Sequence, residues 1–350
     1  MQIRTKMLIV ISGLFLVSVV LISVFSGYIS MSHARSMEDK ESAEQIRDAE
    51  GIINDDLEEL KKITGDWSHW DNSYQFMIDQ NDEFLSANLN NETVENLQTN
   101  AIIFLNKNKN IIASKFYDTS KNEEAPFPEE ITSKILTTDI YNFINSRETK
   151  SGYITFMEMP VMYSVSQITM SDLSGTPNGY LIMARVLDKK MTEKYSKRMG
   201  APVSILTDKE INSDDSLSDI KKEVAREGFF VVRSKDALVA YSLFKDLDNN
   251  SVFMLEGSQS RDIYNKAKTN LLHLNIVLVI ILLTVSVVLF FYINKLVISR
   301  LEILNDNIDS LKDSTDSNTR FKVDSKNADE ISEISKSLNE LIDRVDRWKS

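Results

Sequence analysis

The sequence predicts an α+β domain held between two membrane-spanning helices and followed by a short helical bundle. Three observations predict it. Residues 7–29 and 271–293 are two 23-residue stretches without a charge. Between them, apolar residues recur first at helical spacing and then in short β-branched runs separated by turn residues. After the second stretch come two matched seams at 3-4 spacing.

The spans come first. At 1.5 Å rise per residue each covers roughly 35 Å as a helix, against a hydrocarbon core of about 30 Å. A signal-peptide core is about 7–15 residues, so residues 7–29 are expected to remain as an anchor. Arg4 and Lys6 precede the first span without an acid, which places residues 1–6 in the cytoplasm. Two spans then put residues 30–270 outside and 294–347 inside, in a multi-pass cell-membrane protein. Two cations lie before residue 30, and ten cations face twelve acids after residue 293. The net charge of −12 therefore falls on the outer segment. An acidic exterior argues against nucleic acid as a partner. With no cysteine, disulfides and thiolate metal sites are excluded.

The outer segment opens on a polar stem. Ile46, Ile53, Leu57 and Leu60 mark a helix, and the same stripe continues through Thr64, Trp67, Asp71 and Tyr74. Gly65 before Asp66 is equally a helix stop and a new N-cap. "AIIFLNKNKNIIASKFYD" (101–118) reads as strand, turn, strand. A short helix is expected over 129–145. Two strands follow over 151–170, broken near Pro160, and another at 180–187. Residues 189–199 form a basic helical connector. "APVSIL", "GFFVVRS", "DALVAYSLFKD" and "SVFMLEGS" are further strands. The expected architecture is an antiparallel sheet packed on the long helix, with a last helix feeding the second span. Beyond it, Val297, Leu301, Leu304, Ile308 and Leu311 form one seam, and Ile331, Ile334, Leu338, Leu341 and Val345 the other. Two such short helices bury their seams by pairing with a second chain in a four-helix bundle.

Two stretches carry a family likeness. The seams together with "DEISEISKSLNELI" (329–342) resemble a HAMP domain, although "VISRLEIL" lacks the proline usual early in its first helix. The outer segment resembles the CHASE type 4 extracellular sensor domain, through Asp66-Trp67-x-x-Trp70-Asp71-x-x-Tyr74, the 101–115 hairpin, "SGTPNGYLIMAR" ending in Arg185, and "LVAYSLFKDLDNNSVFML" before "SRDIY". The resemblance implies an α+β fold of the PAS/Cache kind. It also implies a microbial, often archaeal, membrane receptor of two-component type, working as a homodimer through HAMP and stem helices. In such receptors HAMP relays an outer stimulus to a downstream histidine kinase or cyclase module.

No HExxH, GxGxxG, phosphate-binding loop or Gly-x-Ser-x-Gly occurs. The expectation is therefore no catalytic residue, no cofactor, no metal and no enzyme in this chain, with the output module outside it. Asp66, His69 and Asp71 do not converge as metal ligands. Trp67, Trp70, Asp71 and Tyr74, at i, i+3, i+4 and i+7, lie on one helical face. They wall a ligand pocket, with Asp71 orienting a polar or cationic group, or they pin the stem to the sheet; the second reading is preferred. Arg185 binds an anionic ligand, or pairs with Asp71 or another acid inside; the pair is preferred. Asp329 and Glu330, at a helix start, are expected to bias HAMP signalling through the helix dipole. Asn91 and Asn249 begin sequons on the outer segment. The outer stimulus is an unnamed ligand or protein. The alternative function is a membrane-anchored adaptor that binds a protein outside without output of its own.

Overall fold

The computed structural model describes residues 3–118, 123–126, 135, 148–313, 320–321 and 330–349. The chain divides into two units, residues 34–264 and residues 1–33 with 265–350.

The first unit contains most of helix α1, Ile3–Ser68. Three short helices follow: α2 (Asp71–Asp79), α3 (Asp82–Asn88) and α4 (Asn91–Asn96). Asn81 and Asn90 cap α3 and α4 by accepting from backbone N–H groups of Phe84 and Thr93. The first sheet has six antiparallel strands in the order β3-β2-β1-β6-β5-β4. They are β1 (Ala101–Leu105), β2 (Ile111–Asp118), β3 (Glu123–Glu124), β4 (Lys150–Phe156), β5 (Met159–Gln167) and β6 (Tyr180–Val186). Helix α5 (Lys189–Met199) leads away from β6, started by the Asp188 cap and stopped by Gly200 at φ +67°. A second sheet is ordered β7-β10-β9-β8. Its strands are β7 (Val203–Thr207), β8 (Phe229–Arg233), β9 (Ala237–Lys245) and β10 (Ser251–Ser260). Helices α6 (Asp208–Asn212) and α7 (Asp215–Glu227) connect β7 to β8.

Two sheets, not one, therefore pack on the stem. Ile46, Ala49, Ile53, Leu57 and Leu60 form one buried stripe on α1. The stripe shares a core with Ile102, Phe104, Leu181 and Met183 of the first sheet and with Ala240, Phe253 and Leu255 of the second. Each buried aliphatic side chain contributes about 2 kcal/mol. The opposite face of the first sheet buries Ala101, Ile103, Tyr163, Ile182 and Ala184 in a second core. Fully buried β1 thus reads as an unbroken apolar run rather than an alternating one.

The break expected near Pro160 falls earlier, at Met157 and Glu158, both with positive φ. Pro160 sits inside β5, opposite Thr155 of β4. The helix expected over 129–145 lies outside the described residues, apart from Ile135.

The other unit holds the N-terminal part of α1 and most of α8 (Asp262–Ile293). It also holds a π-helical turn at Asn294–Ile298, α9 (Ser299–Asp313) and α10 (Glu330–Lys349). The apolar windows of α1 and α8 have mean hydropathies of 2.7 and 3.2 and bury none of their residues. A core helix of that composition would be covered; these two are long and apolar enough to cross a membrane.

Candidate functional site

The motif that opens at Asp66 does not lie on one helical face. Helix α1 runs through Gly65 and ends at Ser68, and Trp70 is extended (φ −92°, ψ 129°) before α2 begins at Asp71. Trp67 therefore belongs to α1, while Asp71 and Tyr74 belong to α2. The expected stripe is corrected here because two residues of non-helical backbone rotate everything after them. Helix α2 buries Ser73, Phe76 and Met77 instead, and Asp71 is exposed.

The motif nevertheless converges on a single partner, the chain at the end of β5 and just beyond it. Ser68 Oγ donates to Ser166 Oγ at 2.7 Å, and Thr169 N–H donates to Ser68 O at 3.1 Å. His69 Nδ1 is 2.8 Å from Thr169 Oγ1. Asp71 accepts from Ser171 N–H at 2.9 Å and from Ser171 Oγ at 3.1 Å. Tyr74 OH donates to the Thr176 carbonyl at 3.3 Å. Burial lowers the pKa of His69, with Asp66 opposing, so at neutral pH the ring is uncharged. Trp67 packs partly buried against the main core and meets Trp70 edge-on at 6.2 Å. Trp70 in turn lies 6.0 Å from Phe84, which stacks on Phe76 at 4.6 Å. Gly65 permits the close approach of Thr149, whose Oγ1 would be 3.2 Å from an added Cβ.

Arg185, 1% exposed, ends the apolar run of β6 beside an acid, Asp56, rather than Asp71. Its Nη1 is 3.7 Å from Asp56 Oδ2. Its Nε donates to Gln98 O at 2.5 Å and its Nη2 to Leu97 O at 3.2 Å. Asp56 also holds Lys194 at 3.1 Å and Arg198 at 2.6 Å, both from α5. One buried carboxylate thus anchors three cations on two elements. Sequence reasoning missed Asp56, although a signal existed: Ile53, Asp56 and Leu60 share the buried stripe at helical spacing. The phenol of Tyr195, buried beside this centre, is pushed to a higher pKa by desolvation and then by Asp56.

A second buried ion pair was also missed. Glu38, 1% exposed, accepts from Arg261 Nη2 at 2.9 Å and from the Tyr264 N–H at 3.1 Å. Arg261 also lies 4.1 Å over the Tyr264 ring. Gln259 donates to Ser42 at 2.5 Å. These contacts tie α1 to the end of β10 and the first turn of α8.

Of the two residues expected to bias signalling, Glu330 is the first residue of α10 and Asp329 lies outside the described residues. Among the described residues no group of acids and histidines is arranged to hold a metal ion.

A histidine kinase of Methanothrix harundinacea (strain 6Ac), the methanogenesis regulatory kinase FilI, is 20% identical over 99% of this chain. The chain spans 39% of the length of that relative. Of solved structures, the extracellular domain of vpHK1S-Z8, assigned as a histidine kinase, is 14% identical with a TM-score of 0.48 over 69% of this chain and 96% of that domain. The periplasmic domain of Vibrio cholerae LuxQ is 12% identical with a TM-score of 0.42 over 63% and 99%. The kinase match corrects the expectation that the protein is not an enzyme. Nearly the whole chain aligns with a minor part of a histidine kinase, so the lack of catalytic motifs in this stretch does not define the protein's class. The model of the CHASE4 domain matches residues 52–206, from the second half of the stem to β7. The segment that builds both the Trp67–Tyr74 joint and the Arg185 centre is therefore a CHASE4 domain.

Proposed function

We propose that this chain is the sensory part of a membrane receptor kinase. Residues 30–270 detect a stimulus outside the cell, residues 7–29 and 271–293 cross the membrane, and residues 294–347 act as a HAMP relay to a histidine kinase module. The observation that carries this reading is the order of parts: a CHASE4 domain between two unburied apolar helices, in a chain that aligns end to end with part of a histidine kinase. The two buried ion pairs support the route. Asp56 fixes α5 and β6 to α1, and Glu38 fixes the start of α8 to α1. A shift of a sheet against the stem would then reach α8 as a small translation or rotation, and the cytoplasmic helices would switch between two packings. Trp67, Trp70, Asp71 and Tyr74 serve as the joint that transmits that shift, and Glu330 biases the relay by its place at the N-terminus of α10.

The test joins residues 1–350 to a histidine kinase catalytic module and measures autophosphorylation in membranes. Glu330→Ala is expected to change basal autophosphorylation by about twofold or more. Replacing residues 30–270 with an inert linker is expected to abolish any response to extracellular extracts. Identical output from all three proteins would defeat the reading and favour the adaptor without output of its own.

A further inference from the structure

Helix α5 concentrates charge in a way that the Arg185 centre does not use up. It carries Lys189, Lys190, Lys194, Lys197 and Arg198 against one acid, Glu193, in a chain whose net charge is −12. Lys190, Lys194, Lys197 and Arg198 stand at i, i+4, i+7 and i+8, on one face of the helix. That face lines a cavity of about 920 Å³, whose other walls include Gln98, Thr99, Tyr117 and Arg185. The volume lies within the range of small-molecule sites. Like charges at i, i+4 spacing repel, so the arrangement is costly unless anions meet it.

Asp56 meets Lys194 and Arg198 and leaves three cations sharing one carboxylate. Of the remaining lining acids, Glu193 is exposed on α5 itself, and the other two have donors of their own. Glu95 accepts from Tyr117 OH at 2.8 Å, and Asp188 caps α5 by accepting from Met191 N–H at 2.9 Å. Lys190 and Lys197 make no ion pair with any described residue. Both are exposed at the rim, above a floor that includes the buried Arg185, which pairs with Asp56 behind it.

We propose that this cavity binds a small organic anion carrying at least two acidic groups, carboxylate or phosphate, between Lys190 and Lys197. Two ammonium groups one helical stretch apart match two acidic groups better than one, since each forms its own charge-assisted hydrogen bonds. The Asp56 cluster holds the floor rigid, so little ordering is left for the ligand to bring about. The ligand would sit against α5 and the end of β6, where α1, the first sheet and α5 are joined through Asp56. This names a ligand class for the sensory reading and rests on it only for its biological meaning, because binding is measured directly.

The experiment is calorimetric titration of the full chain in nanodiscs with citrate, succinate, glycerol 3-phosphate and inorganic phosphate, at about 0.15 M salt, where exposed charges beyond roughly 8 Å are screened. Saturable binding of citrate or succinate, which carry two or more acidic groups, is expected to exceed that of glycerol 3-phosphate and inorganic phosphate, which carry one; the reverse order overturns the proposal. The Lys190→Gln/Lys197→Gln double variant is expected to weaken that binding about tenfold or more. Lys190→Arg/Lys197→Arg should retain it, as should Lys107→Gln in the distant β1–β2 turn. Circular dichroism of the double variant should be unchanged, because neither lysine forms an ion pair with a described residue; if it unfolds, Lys197→Gln alone is used. No binding of any anion overturns the proposal. So does binding that the double variant leaves intact, or that Lys107→Gln weakens equally. None of these outcomes touches the autophosphorylation test.

Discussion

Asp56 is the residue on which the first sheet, α5 and the stem meet. At 2% exposure it would be costly to bury alone, and it is held by a fully buried guanidinium and two half-exposed cations. The three partners are not equal. Arg185 is tied to carbonyls at the end of α4 and has no route to solvent, whereas Arg198 is 38% exposed and well screened. Asp56→Asn is expected to destabilise the sheet domain by about 3–5 kcal/mol, because a buried cation loses its counter-charge. Arg198→Gln should cost about 1 kcal/mol or less. Denaturant unfolding of the detergent-solubilised full chain separates the two, and equal losses would show that Arg185 is not the residue that needs the carboxylate. At this scale Arg185 was legible as a buried cation, since it ends an apolar strand. Its partner was not: the sequence left open Asp71 or another acid, and Asp71 lies exposed on a helix of its own.

Among the elements, the β5–β6 connection is the most constrained. Gly179 enters β6 at φ +135°, where an added Cβ would lie 2.2 Å from the Leu105 carbonyl oxygen and 2.9 Å from Met77 Cε. The first is backbone of a fully buried strand and has nowhere to move. Gly179→Ala should therefore cost about 2 kcal/mol or more and loosen the contact between α2 and the sheet. The measurement is a drop in melting temperature with loss of amide protection in β1. An unchanged melting temperature would mean that the connection yields easily. Strands and hairpins were readable element by element: Asn106 to Asn110 between β-branched flanks gives the β1–β2 turn, and Asp188 and Gly200 bracket α5. Helices α6 and α7 were not foreseen, although "TDKE" forms a reciprocal cap between Thr207 and Glu210.

For the whole molecule, the helices after the second apolar span leave apolar surface uncovered. Helix α10 buries Ser332 and Ser335, and Asn339 brackets the Phe321 backbone at 2.8 and 2.9 Å. Its apolar seam faces elsewhere: Ile334, Leu341 and Val345 are 48%, 59% and 44% exposed. Val297, Leu301, Leu304 and Ile308 of the first seam are only half-buried. The proposed relay has a second copy cover both seams in a four-helix bundle. Leu301→Cys is expected to give a disulfide-linked dimer in membranes under mild oxidation, while Glu302→Cys, one position round the helix, should crosslink less. Absence of a dimer at Leu301, or equal crosslinking at both positions, would count against the bundle.

The linear sequence by itself determined the two apolar spans, the stem helix, most strands and the paired seams, because each is written in local periodicity and charge. The tertiary structure alone decided that the strands divide into two sheets on one stem. It also decided that the stem breaks at Trp70 and that Asp56, not Asp71, meets Arg185. Those outcomes depend on which distant segments compete for the same helix face, and residues 129 positions apart leave no mark of their meeting in local pattern.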